Sequence, residues 1–237
     1  MPGHDANVGA KRAREARSAL GLAPGEPFPC LLTAIERDAG VPVMVAGMHA
    51  QIAGFCLRPG DGSSCLFVNG LQYVGRQRFT LAHEYGHHYM RHEGVPPDST
   101  RTVIQGFARS SVEVQANAFA AELLAPAAAI RELVDSEPTL ETLAELAGHF
   151  GISMQAALVR LNNLGLTGRD DELRGELADS ELRRWVRPRE RPDELARIER
   201  RLPRVSALLD DSLLHAALRG DAAASPGLSR ALSLLMR

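Results

Sequence analysis

Apolar positions along the chain follow two rhythms, and the change between them predicts the order of elements. Between residues 41 and 69 they form short β-prone runs: Val41 to Ala46, Ile52 to Leu57 and Cys65 to Asn69. Gly47 and the turn Arg58-Pro59-Gly60-Asp61-Gly62 separate these runs, which predicts three strands in a small antiparallel sheet with a hairpin. Three strands make only a partial layer, so helices must cover one face.

Elsewhere the spacing is helical. Residues 1–25 read as an N-terminal helical arm ending at the breakers Pro24, Gly25 and Pro27, and a short helix follows from Leu31 to Asp38. A longer helix is expected from Arg76 to His92, closed by Gly94 with Pro96 and Pro97 beyond it. Another spans Ser111 to Leu124 and stops at Pro126. Thr139 to Leu164 reads as helix, turn, helix, with Gly151 in the turn and Ser153 as the next cap. The expected organisation is α+β: the arm, a core over 26–135, a helix-turn-helix-like segment over 136–167 and a helical C-terminal region over 168–237.

Composition narrows the class. Hydrophobic residues make up 45% and charged ones 24%, an ordinary globular profile. A net charge of −2 gives no global pull towards nucleic acid or an anionic membrane. Three cysteines, Cys30, Cys56 and Cys65, form no C-x-x-C pair and argue against a disulfide-stapled secreted domain. The stretch Lys11 to Arg17 is charged where a signal peptide would be apolar, and Gly40 to Leu57 reads as strands rather than as a membrane span. The expectation is a cytoplasmic protein with no membrane partner.

The chemistry concentrates in His83-Glu84-Tyr85-Gly86-His87. Residues four apart share a helix face, so His83 and His87 can direct two imidazole nitrogens at one ion, as a tetrahedral zinc site needs. Glu84 lies one position round, able to take the proton of a metal-bound water. Catalytic zinc has a third protein ligand. A continuation of the same segment would need glycine at position 90 and histidine at 93, where Met90 and Glu93 stand, and His92 is out of register. Glu113 and Glu122 are the alternatives on the next helix; nine positions apart, they face opposite sides. Glu113 shares its face with Ala116, Asn117, Ala120 and Leu124, where the alanines allow close approach and Asn117 can orient a ligand histidine. Glu113 is therefore the expected third ligand, and Glu122 a solvated residue. His88 and His92 are expected to be surface or core side chains. Tyr85 points off the metal face, and Tyr73, Tyr89 and Arg101 are weak candidates for polarising a carbonyl.

The run Arg78-Phe79-Thr80-Leu81-Ala82-His83-Glu84-Tyr85-Gly86-His87, followed by Glu113-Val114-Gln115-Ala116-Asn117-Ala118-Phe119-Ala120-Ala121-Glu122-Leu123-Leu124-Ala125-Pro126, resembles the ImmA/IrrE family of bacterial metallopeptidases over roughly residues 25 to 166. The resemblance implies a zincin-like core and one zinc ion per chain, held by His83, His87 and Glu113, with Glu84 as catalytic base. It further implies an endopeptidase whose substrate is a regulatory protein, a helix-turn-helix transcriptional repressor.

A different class of reading is a DNA- or repressor-binding regulator with a structural or vestigial zinc site. The second helix of the helix-turn-helix-like segment offers Gln155, Arg160, Asn162 and Asn163 among apolar neighbours, a face thin in phosphate contacts. Packing or partner docking is expected there rather than DNA contact. The arginines from Arg183 to Arg204 are interleaved with Glu190, Asp193, Glu194 and Glu199, as on a salt-bridged solvated helix.

Overall fold

The apolar run Cys65-Leu66-Phe67-Val68 becomes an inner strand of a mixed sheet. In the computed structural model, which describes residues 2–28, 30–58, 64–92, 98–99 and 110–179, the strands are β1 (Val43–Ala46), β2 (Ile52–Leu57), β3 (Cys65–Asn69) and the two-residue β4 (Asp98–Ser99). The helices are α1 (Pro2–Ala19), α2 (Leu31–Thr33, continued by a π turn over Ala34–Asp38), α3 (Val74–Tyr89) and α4 (Ser111–Leu124). After them come α5 (Ala127–Leu133), α6 (Leu140–Phe150), α7 (Met154–Asn163) and α8 (Asp170–Asp179).

The sheet order is β1-β3-β2-β4. β2 and β3 form the expected antiparallel hairpin, with Phe55 opposite Phe67 and their rings stacked at 4.4 Å. β1 departs from expectation by pairing parallel to β3, Val43 against Leu66. The sheet is therefore mixed, not antiparallel. Asn69 supplies the physical reason. Fully buried at the end of β3, its amide nitrogen donates to the carbonyls of Met48, His49 and Ile52 at 3.3, 3.2 and 2.8 Å. Its carbonyl oxygen accepts from the Met48 and Leu71 amides at 3.2 and 3.0 Å. These bonds carry the β1–β2 connection across the end of β3 and hold the two strands apart so that β3 lies between them. All five residues of β3 are buried, as in a strand covered on both faces.

Helix α1 lies along α4. Gly9 makes this possible, because a Cβ there would stand 2.1 Å from the Gln115 carbonyl oxygen. Ala13 and Ala16 are fully buried on the same face, and Arg17 donates to the Leu123 carbonyl at 2.7 Å. The helical pair is built on local signals. Thr139 and Thr142 form a capping box, Gly151 ends α6 at φ +65°, and the Ser153 hydroxyl accepts from the Ala156 amide at 3.1 Å. Arg78 of α3 donates to the Gly151 carbonyl at 3.0 Å and to the Phe28 carbonyl at 3.2 Å.

Two polar residues of this region are buried, and one of them departs from expectation. Glu122 is 4% exposed rather than solvated, while Arg160, on the helix expected to serve packing or docking, is 7% exposed. They form an ion pair, and Arg160 also donates to the Ala125 carbonyl at 3.0 Å. A carboxylate is buried only when paired, and the partner here is 38 positions away, beyond the reach of helical phase. Among the described residues no helix is long and apolar enough to cross a membrane. Arg101 and the arginine-rich segment from Arg183 lie outside the described residues.

Candidate metal centre

Helix α3 is enclosed on nearly every side, so its polar side chains at His83, Glu84 and His87 are 0%, 1% and 1% exposed. Burying that much polarity is rare without a task. Small residues bring its neighbours close. Gly86 stands against the Phe119 ring of α4, where an added Cβ would lie 3.0–3.3 Å from three ring and Cβ atoms. Ala82, Ala116 and Ala120 are fully buried. The Tyr85 and Tyr89 rings pack on Phe119 at 5.8 and 5.6 Å. The Ser110 hydroxyl caps α4 by accepting from the Glu113 amide at 3.4 Å, which starts the helix with Glu113 in its first turn.

This packing brings three expected residues together. His83 Nε2 and His87 Nε2 are 3.0 Å apart, Glu113 Oε2 is 3.3 Å from His83 Nε2, and Glu113 Oε1 is 3.5 Å from His87 Nε2. Metal–ligand bonds of about 2.05 Å at a tetrahedral angle separate ligand atoms by about 3.3 Å, so the three spacings bracket what zinc requires. Lone pairs that converge at this distance repel unless a proton or cation lies among them, and the donor set of two imidazoles and a carboxylate fits zinc. Burial by itself would raise the Glu113 carboxyl, but the His83 and His87 imidazoles set against it hold it well below the ordinary carboxylate range.

Glu84 faces strand β2. A Cβ on Gly54 would come within 3.3 Å of Glu84 Oε1, 2.6 Å of Thr80 Cγ2 and 2.5 Å of the Phe67 carbonyl oxygen. The bare backbone of Gly54 thus lets β2 pass directly beneath the helix. Two residues further on, burial and the Glu84 carboxylate push the Cys56 thiol up to about 12, with Arg58 opposing. Arg58 also donates to the carbonyls of His87 and His88 at 2.7 and 2.6 Å, placing a cation at the C-terminal end of α3.

The other candidates lie outside the cluster of three. Among the described residues the Asn117 amide atoms have no hydrogen-bond partner. It is His92 that meets His87, with its Nδ1 2.9 Å from His87 Nδ1. Burial and the neighbouring His87 hold the His92 ring below the ordinary histidine range. The sequence signal for His92 was hidden, because Arg91 takes a left-handed conformation (φ 56°) that no helical spacing anticipates. His88 stacks on Tyr85 at 5.9 Å, outside the cluster of His83, His87 and Glu113. Tyr85 is buried, its hydroxyl pushed up to about 12 by burial and by Tyr89, and Tyr73 is 65% exposed.

The model of the Peptidase_M78 family, described as the IrrE N-terminal-like domain, matches residues 36–162. No curated protein matches the chain. The matched stretch covers more than half of the 237 residues and contains α3, α4 and the helical pair together with all three converging side chains. On that extent, the chain belongs to the Peptidase_M78 family of IrrE N-terminal-like peptidases.

Proposed function

We propose that the chain is a zinc-dependent endopeptidase that cleaves a regulatory protein, a helix-turn-helix transcriptional repressor. The observation that carries the reading is the convergence of His83, His87 and Glu113 within 4.8 Å, with the Glu84 carboxylate on the adjoining position of the same helix. His83, His87 and Glu113 would hold the ion. Zinc, when bound in such a site, polarises a carbonyl and brings the pKa of water towards neutrality.

The chain's own residues supply the rest. Glu84 is buried beside Gly54, where its carboxylate has little room to swing away. It accepts a proton from the attacking water as that oxygen bonds to the scissile carbonyl carbon. The same proton then passes to the amide nitrogen as the C–N bond breaks, leaving a carboxylate and an amine. The repressor as substrate follows from the resemblance of the two motifs. The regulator reading loses one support, because Arg160 is buried against Glu122, which leaves Gln155, Asn162 and Asn163 as the polar groups of α7.

The test is Glu84→Gln beside wild type, incubated with the repressor encoded nearest the gene. Stoichiometric zinc with no cleavage by the variant supports the proposal. Retained turnover removes Glu84 from its role, and wild-type binding of the repressor without cleavage favours the regulator.

A further inference from the structure

The polar contacts on the far side of His87 form a chain that runs away from the ligand cluster and ends on α1. His87 Nδ1 lies 2.9 Å from His92 Nδ1, and the two rings meet edge to face at 71°. His92 Nε2 lies 3.2 Å from Gln115 Oε1 of α4. The Gln115 amide nitrogen donates to Asp5 Oδ1 of α1 at 2.9 Å, and Asp5 also accepts from the Ser111 hydroxyl at 2.6 Å.

The direction of every bond in this chain follows from its two ends. Asp5 as a carboxylate can only accept, so the Gln115 amide must turn its nitrogen to Asp5 and its oxygen to His92. His92 must then carry its hydrogen on Nε2, which leaves Nδ1 as a lone pair aimed at His87. His87 must in turn carry its hydrogen on Nδ1, which leaves Nε2 bare and facing His83 and Glu113. No joint has two donors or two acceptors. Reversing the chain would set the Gln115 oxygen against the Asp5 carboxylate and put a hydrogen on the nitrogen that faces the ligand cluster.

The backbone is shaped to make this contact. His92 follows the left-handed Arg91, the one non-glycine residue with positive φ among the described residues, in a conformation that side chains rarely adopt. That turn folds the chain back, so that the His92 amide donates to the His87 carbonyl at 3.0 Å and its ring returns beside the His87 ring.

We infer that His92 is a positioning residue for the zinc ligand His87, its tautomer set through Gln115 by Asp5 on the N-terminal helix. The inference rests on His87 being a ligand through Nε2, and it extends the site to a helix outside the stretch that the family model matches, residues 36–162. Partners of this kind fix ligand tautomer and orientation, and their loss weakens metal binding by about 10- to 100-fold.

The experiment uses the full chain, with zinc affinity measured by chelator competition and histidine tautomers read from long-range proton–nitrogen NMR correlations. In the zinc-loaded wild type, His92 should show hydrogen on Nε2 and His87 hydrogen on Nδ1. His92→Phe should bind zinc about 10- to 100-fold more weakly. Asp5→Asn, which restores freedom for the Gln115 amide to turn, should retain the fold by circular dichroism and yet populate both His92 tautomers. Hydrogen on His92 Nδ1 in the wild type overturns the inference, as does a His92→Phe affinity equal to wild type when His83→Ala abolishes binding. If His83→Ala binds zinc as wild type does, the metal-site reading itself fails, and this inference with it.

Discussion

Glu122 and Arg160 form an ion pair sealed between the end of α4 and α7, their side chains 5% and 9% exposed. Arg14 of α1 reaches the other Glu122 oxygen at 3.3 Å from a far more exposed position. Glu113 and Glu122 therefore divide one helix between two tasks on opposite sides. One turns to His83 and His87, and the other fastens the helical pair to the core.

Removing only one member of that pair leaves a buried charge with no counter-charge. Glu122→Ala is expected to lower unfolding free energy by about 3–5 kcal/mol. The double variant Glu122→Leu/Arg160→Met should recover much of the loss, since similar volume is restored without stranding a charge. Urea unfolding of the three proteins measures this; a double variant no more stable than Glu122→Ala would contradict it.

The opposite glutamate should read out in metal rather than in stability. Glu113→Ala is expected to purify with zinc far below one per chain, while the folded fraction of Glu122→Ala keeps its zinc. Stripping zinc from wild type with a chelator should lower Tm, and returning the ion should restore it, because an ion that binds only the native state stabilises it by mass action. Elemental analysis with a thermal melt decides the point. Full zinc in Glu113→Ala would remove it from the ligand set.

These two glutamates also mark how far the sequence could be read. Helical phase separates Glu113 from Glu122 because a straight helix has a known pitch, and the same rule pairs His83 with His87. Phase says nothing of partners 38 positions away, so Arg160 beside Glu122 was invisible. The contact between His92 and His87 was out of view for a related reason. Counting along a helix assumes that the helix continues, whereas α3 ends at Tyr89 and Arg91 turns left-handed. Strand positions were legible from apolar runs, but strand order was not. A run such as Cys65–Asn69 reports that it is buried, not which strands flank it, and the β1–β2 connection is set by the single amide of Asn69.

Alkaline pH should expose the burial of two thiols. Burial, with a smaller push from the Glu84 carboxylate, raises Cys56 to about 12, and burial raises Cys65 to about 12. An unfolded thiol titrates at about 8.5. A folded-state value above the unfolded one contributes stability that is complete below the unfolded pKa and is lost as pH rises towards the folded one. The urea midpoint should therefore fall between about pH 9 and pH 11, with Cys56→Ala and Cys65→Ala each flattening the slope. Both thiols should resist a thiol reagent at pH 8 until the protein unfolds. A midpoint that stays level over this range would show that neither thiol is held protonated.

Gly54 gives the most direct test of how strand and helix together seat Glu84. An alanine Cβ at this position would stand 2.5 Å from the Phe67 carbonyl oxygen and 2.6 Å from Thr80 Cγ2, both inside contact distance. Thr80 is fully buried on α3, one turn before Glu84. Relief must come from lifting α3 off the sheet or parting β2 from β3. Overpacking of this kind costs about 1–3 kcal/mol. The lift would also move Glu84 away from the substrate's reacting atoms, where displacement by about 1 Å can lower turnover about 100-fold. Gly54→Ala should therefore lose more in kcat than in KM while keeping zinc, since its nearest contacts include none of His83, His87 and Glu113. Adding Thr80→Ala removes the Cγ2 clash but not the backbone one, so the double variant should regain part of the activity and part of Tm. A Gly54→Ala enzyme with wild-type kcat would mean that the β2–α3 contact does not position Glu84.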